Sequence, residues 1–510
     1  MILTSTLSLF CSHLFAVEIL DMISPEQLQR IREVKTIETI GKLELGGLTG
    51  TIETIYSTPG KIYTTIDLGM IKMTQAYDGK SAWVKDQNDQ LLELTGLEKR
   101  NLVSNVYIVG LCYFTSEGVP GKVEFVKDTM VDSQSYHVFS AVPTDGDSLW
   151  LFFNKDNRRL EILKERMDEI VAYSYYSDFR EMEGIMMPFV TITKASIPQF
   201  NTSQVNAEVR FNIAVDDSIF GIGTNDSSDY HFPADADSIL VPFYFYGGHM
   251  IIDAEVNGKS KVSFILDSGA GSNVIDKTYA AELELKNTGE ISAKGIAGYG
   301  TATFAEIDSL VVGSIRLLDQ VVGIIDLAGI GLRYEGKLGG ILGYDLLSKF
   351  PMRVDYAAGR LIFHNPDKFI PPDPGSGIDF ELLMKVPLVR AIYDSIPGRF
   401  LVDFGNPLGL ILHKSFVDKH KLVVTFTDIK EIRGGIGGVG GLSDAYAATG
   451  SVFRIGSLEL KRLPLMVVGG EGGLVKSSEA DGNIGNLLLK DFSIVMDYGK
   501  KKIYIAPLKK

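Results

Sequence analysis

Two cysteines in 510 residues, Cys11 and Cys112, leave little room for disulfide chemistry. If the N-terminus is removed, only Cys112 remains and no intramolecular bridge can form. The seven histidines (13, 137, 231, 249, 364, 413 and 420) nowhere form H-E-x-x-H or a comparable cluster, and C-x-x-C is missing. The chain therefore carries no zinc signature, and neither a metal nor another cofactor is expected. Basic residues are also short, with 50 Lys and Arg against 64 Asp and Glu for a formal charge of -14. Such a chain has no surplus with which to neutralise phosphates, which argues against nucleic acid as a partner. Beyond residues 2–17 no apolar run is long enough to span a bilayer, so no transmembrane segment is expected in the mature chain.

What is present points to β structure. There are 53 Gly and 21 Tyr in a chain that is 45% hydrophobic and 22% charged, the balance of a globular protein with many turns. Its length exceeds one core, so about two to four domains are expected. Residues 1–17 read as a signal peptide that lacks a basic start, or else as a short hydrophobic N-terminal element. An exported protein, periplasmic or extracellular, is the expectation. Ser24-Pro25-Glu26-Gln27 predicts a helix start, with Ser24 as cap and Pro25 in the first turn, running to about Val34. Alternating apolar and polar segments follow, punctuated by Gly46-Gly47 and by Thr58-Pro59-Gly60-Lys61. The spacing predicts an antiparallel sheet with a helix or two over 25–215. Residues 216–238 are acidic and polar, and read as a linker or a long surface loop.

In the first region the early helix, Thr58-Pro59-Gly60-Lys61 and Tyr77-Asp78-Gly79-x-x-x-Trp83 resemble the periplasmic lipoprotein carriers and their outer-membrane receptors. That resemblance implies a curved, incomplete barrel whose concave face holds an acyl chain, with lipid or lipoprotein as a partner. Trp83 and Trp150 taken singly read as core residues.

The second region is organised around Phe264-Ile265-Leu266-Asp267-Ser268-Gly269-Ala270. An apolar strand delivers Asp267 to a sharp turn at Gly269. Alone, this is a turn aspartate. However, Phe400-Leu401-Val402-Asp403-Phe404-Gly405-Asn406 repeats it 136 residues on. Gly340-Ile341-Leu342-Gly343 recurs as Gly482-Asn483-Ile484-Gly485, and Asp355-Tyr356 as Asp497-Tyr498, both 142 residues on. The order strand, D-x-G, hairpin, apolar-Gly, helix, D-Y is thus written twice. The halves are expected at 239–365 and 378–510, joined through 366–377, where four prolines fall.

These motifs resemble the aspartic proteases, in particular their retropepsin-like halves, here in tandem as in the bilobal pepsin-like enzymes. The fold expected is mainly β: an N-terminal antiparallel half-barrel with a helix, then a bilobal, duplicated aspartic-protease-like body. The resemblance implies an aspartic endopeptidase acting on a peptide or unfolded protein, with Asp267 and Asp403 as a catalytic dyad supported by Ser268, Gly269 and Gly405. It sets 295–301 as a flap, with Gly298, Tyr299 and Gly300 as substrate-binding candidates, although Tyr299 also reads as an exposed turn residue. Two carboxyls are required because amide cleavage needs both a base for water and an acid for the leaving group. The second motif departs from the family: Phe404 stands where a hydroxyl is expected, and Asn406 replaces a small residue. That departure supports a second expectation, a non-catalytic envelope protein that grips peptides, lipid or lipoprotein. A third expectation, the first domain as a cover for the cleft, has no specific sequence support. Asp355 and Asp497 read as structural, and Asp345 has no assignment. The G-x-G-x-x-G at 435–440 reads as the second half's flap-like hairpin rather than a phosphate loop.

Overall fold

A computed structural model describes residues 17–115, 117–223, 229–295, 298–330, 334–372, 376–438, 441–469 and 473–508. The expected leader, apart from Val17, lies outside them, as do Ile296 and Ala297 of the first hairpin and Val439 and Gly440 of the second. The protein is mainly β, built on sheets of 13, 9 and 15 strands. No helix among the described residues is long and apolar enough to cross a membrane.

The first sheet is an antiparallel meander forming a half-barrel. Its first strand, Thr36–Leu45, pairs with both its successor, Leu48–Ser57, and its last strand, Thr202–Phe211. The free edges fall at Leu91–Leu94 and Gly121–Val131, and the helix Gly96–Val109 connects them. The helix Pro25–Glu33 starts as its sequence predicts, with Ser24 Oγ accepting the Gln27 N–H at 3.2 Å. Ile31, Leu102, Val106 and Tyr107 of the two helices bury against Phe139, Leu151 and Phe153 of the sheet.

The described part of 216–238 docks on both bodies instead of hanging between them. Phe220 is buried, and its carbonyl accepts the Trp83 indole N–H at 3.1 Å. Tyr230–His231 then adds a strand to Ile315–Ile325 of the second body. Burying one aromatic ring outweighs the solubility of the acidic residues around it.

Beyond residue 238 a large apolar core runs through both repeats, from Phe264 and Leu266 to Phe400, Val402 and Phe404, with smaller clusters around Ile265, Leu401 and Ile411. Under it Ser238–Pro242, Arg360–His364, Met352–Asp355, Phe492–Asp497, Lys502–Pro507 and Ile378–Leu383 lie side by side in that order. At their centre Met352, Arg353 and Val354 pair antiparallel with Met496, Val495 and Ile494. The two segments carrying the D-Y motif thus meet each other, which places the strand ends above them face to face.

Candidate active site

Val262–Leu266 and Ile396–Val402 each end in an apolar run, Phe264-Ile265-Leu266 and Phe400-Leu401-Val402, and both are buried toward their C-terminal ends. Each runs parallel to an apolar-Gly strand, Leu338–Leu342 in one case and Gly482–Ile484 in the other. The ladder continues into each aspartate. Asp267 N–H donates to Leu342 O at 2.9 Å, and Asp403 N–H to Ile484 O at 3.0 Å. Both carboxyls are therefore carried on fixed strand ends.

The structure brings Asp267 and Asp403 together. A Cβ on Gly405 would lie 2.2 Å from the Asp267 carboxyl carbon, and one on Gly269 would lie 2.6 Å from Asp403 Oδ1. Each motif glycine is required because the opposite carboxyl fills the space its side chain would take. The two carboxyls lie against each other, and the Gly405 backbone sits beside both. Asp267 also accepts Gly269 N–H at 2.7 Å, while Asp403 accepts Asn406 N–H at 2.9 Å and Asn483 Nδ2–H at 3.0 Å. Burial, then the charge of Asp403, pushes Asp267 well above the carboxylate range. Burial also raises Asp403, against the donors around it. Such a pair loses its protons as a unit.

Ser268 is buried beneath the pair and links the halves. Its hydroxyl donates to Val402 O at 2.8 Å and accepts Phe404 N–H at 2.9 Å. Phe404 returns no hydroxyl, and its ring is fully buried in the shared core. A second link comes instead from Asn486, a residue that sequence reasoning missed. Its amide donates to Phe404 O at 2.5 Å and to Gly248 O, across the halves, at 3.2 Å. Asn483 was missed as well. The signal was available in the repeat, because its counterpart Ile341 is apolar.

The hairpin of Thr288–Lys294 and Tyr299–Val312 carries Gly298, Tyr299 and Gly300. Tyr299 is neither free nor turned to solvent, since its hydroxyl donates to Glu169 Oε1 of the first domain at 2.6 Å. Lys294 pairs with Asp168 at 3.1 Å, while Gly473 N–H and Ser478 N–H of the second half donate to Glu169 and Asp168. The turn at Asp168-Glu169 therefore clasps both lobes. Burial opposes the charge on Asp168, yet Ser477, Ser478 and Lys294 hold it below the usual carboxylate range.

Asp345 has a structural place. It accepts Asn273 N–H at 2.7 Å and the Gln90 amide at 3.2 Å, and it faces Lys385, which pairs with Asp86. It thus joins the first domain to both halves. Among the described residues no group of three or more His, Cys, Asp or Glu is placed to hold a metal ion.

Residues 252–346 match the aspartyl protease family model, a span that includes Asp267, Ser268 and Gly269 and stops before Asp403. No curated protein matches the chain. Many solved structures are similar to parts of it, and two of them serve as examples. One is a DUF1329 family protein from Desulfovibrio piger ATCC 29098, at 12% identity over 40% of this chain and 95% of that one, with a TM-score of 0.28. The other is a LolA superfamily protein from Nitrosomonas europaea, at 13% identity over 40% and 98%, with a TM-score of 0.29.

Proposed function

We propose that the chain is an aspartic endopeptidase of the cell envelope, with two tandem protease-like halves and Asp267 and Asp403 as its dyad. The observation that carries this reading is the packing of each carboxyl over the other half's glycine. Two buried carboxyls in contact cannot both ionise cheaply, so one keeps a proton while its partner attracts one from water. A water held between them attacks the peptide carbonyl. The protonated carboxyl polarises that carbonyl, and the proton taken from water goes to the leaving nitrogen. An extended peptide lies across the cleft as an added strand. Ser268, Gly269 and Gly405 hold the pair in register. The test is hydrolysis of an unfolded protein by the full chain between about pH 3 and 8, with new termini identified by mass spectrometry. Absence of cleavage throughout that range sinks the reading.

A second reading, a carrier of lipid or of a lipoprotein segment, is favoured by the first domain. Its half-barrel encloses a cavity of about 730 Å³ lined by Ile52, Ile66, Ile108, Phe153, Leu163 and Met187, among others. That volume suits a single long apolar ligand. Glu165 also lines it, and burial raises its pKa. Native mass spectrometry of the purified chain, before and after delipidation, tests for such an occupant.

A further inference from the structure

We propose that Asn483 is a two-position amide that ties the protonation of Asp403 to that of His413. His413 is completely buried at the end of the strand Leu410–His413. Its Nδ1 lies 2.9 Å from Ala480 O and its Nε2 lies 3.0 Å from Asn483 Oδ1. On its other side, Asn483 Nδ2 lies 3.0 Å from Asp403 Oδ2. A carbonyl only accepts, so Nδ1 carries a hydrogen. A neutral imidazole then has a bare Nε2, an acceptor that cannot pair with Oδ1.

Two arrangements remove this conflict. In one, His413 holds a second proton and Asn483 Nδ2 donates to an Asp403 carboxylate. In the other the amide is turned by half a rotation, so that Oδ1 accepts from a protonated Asp403 and Nδ2 donates to a neutral His413. Amide oxygen and nitrogen have nearly the same shape, so both arrangements fit the same heavy-atom positions, and both hold the same number of protons.

The surroundings favour the neutral arrangement. Burial lowers His413 and raises Asp403. Asp481 faces His413 and favours its charged form, but the Asp481 carboxylate already accepts the Arg399 N–H at 2.8 Å. Around Asp403 stand Asp267, the buried Tyr498 and, at the Gly405 backbone, His249. Whichever of the two carboxyls ionises first opposes a second charge beside it.

The pair belongs to the second half alone. Strand pairing sets Val274 opposite Ile341 and Ile411 opposite Asn483, so Ile341 and Asp276 occupy the places of Asn483 and His413. Asp276 caps the helix Lys277–Glu282, whereas His413 makes no cap bond to Lys414–His420. Where the first half has a cap and an apolar contact, the second has a polar chain ending on Asp403. The consequence rests on the peptidase reading: the position of the Asn483 amide sets how readily Asp403 bears the dyad's proton, with Asn483 and His413 as positioning residues.

The test is imidazole nitrogen NMR on the full chain, with His413 assigned by its loss in His413→Gln and the dyad followed through its Asp carboxyl carbons. In the wild type His413 is expected neutral while Asp403 holds a proton. Its Nε2 resonance should then move as Asp403 ionises, because Nδ2 leaves it for the carboxylate. The amide introduced by Asp403→Asn mimics the acid, so in that variant Nε2 should stay fixed across the same range. Identical His413 curves in both proteins overturn the proposal, as does an imidazolium while Asp403 is protonated. A His413 that follows Asp403 in a chain that cleaves nothing keeps the switch and removes the peptidase. Cleavage with an indifferent His413 does the reverse.

Discussion

The two halves of the second body place the same groups differently. In the first, the turn after the aspartate supplies a hydroxyl that crosses to the partner. In the second the equivalent position is a buried phenyl ring, and the return link comes from the Asn486 amide, 82 residues away in sequence. The first half sets apolar Ile341 beside its strand end, while the second sets Asn483 on its carboxylate. An unequal pair can still present two carboxyls to one point, because the backbone ladders and the two glycines fix their positions. What the inequality changes is where the proton rests and which half depends on the other.

The sharpest way to break the comparison is to remove each carboxyl separately. If they work as a dyad, Asp267→Asn and Asp403→Asn should each lower kcat/KM by about 10²- to 10⁴-fold. Activity that survives Asp403→Asn would instead point to two Asp267 residues meeting in a homodimer. Stability should move the other way. Both pKa values are raised on folding, so the wild type binds more protons folded than unfolded between the unfolded value, near 4, and the raised folded values. Its stability therefore falls as pH rises through that window, at up to about 1.4 kcal/mol per unit per proton. Asp267→Asn escapes its share of that loss, and its advantage in Tm over the wild type should widen from about pH 4 upward.

Next in size is Phe404→Thr, which gives the second motif a hydroxyl where the first has Ser268. The lost ring leaves a cavity in the shared core, and the variant should lose about 3 kcal/mol by chemical denaturation. A stabilised variant would show that the two motifs are interchangeable after all. Ser268→Ala should cost about 1–3 kcal/mol, because the Phe404 N–H is left buried and unpaired. Equal losses from Ser268→Ala and Asn486→Ala would mean that hydroxyl and amide links carry similar weight. The smallest effect is expected from Glu169→Gln, which weakens the clasp on Tyr299 and Gly473 without emptying space. Amide exchange should speed up by about fivefold, roughly 1 kcal/mol, in the hairpin around Tyr299 and leave the core strands unchanged.

Much of the fold is legible because it rests on local signals. The Ser24 cap, the Gly46-Gly47 turn and the alternation in Thr36–Leu45 depend on residues close in sequence. The candidate site is legible only as far as it repeats: Asp267 and Asp403 announce each other through matching neighbours. Asn486, Asn483 and His413 fall where the repeat fails, and their partners lie 67 to 238 residues away. The linker reading missed the docking of Phe220 for the same reason, since its partner Trp83 is 137 residues back.

The sequence by itself determined that this chain is rich in strands, poor in cysteine and basic charge, and marked by two aspartates at equivalent strand ends. Local propensity and pattern suffice for that. Only the tertiary structure decided that each carboxyl fills the space above the other's glycine, that Tyr299 is held by Glu169, and that a buried histidine reaches Asp403 through one amide. Those arrangements depend on which distant surfaces exclude water together, and no local pattern records that choice.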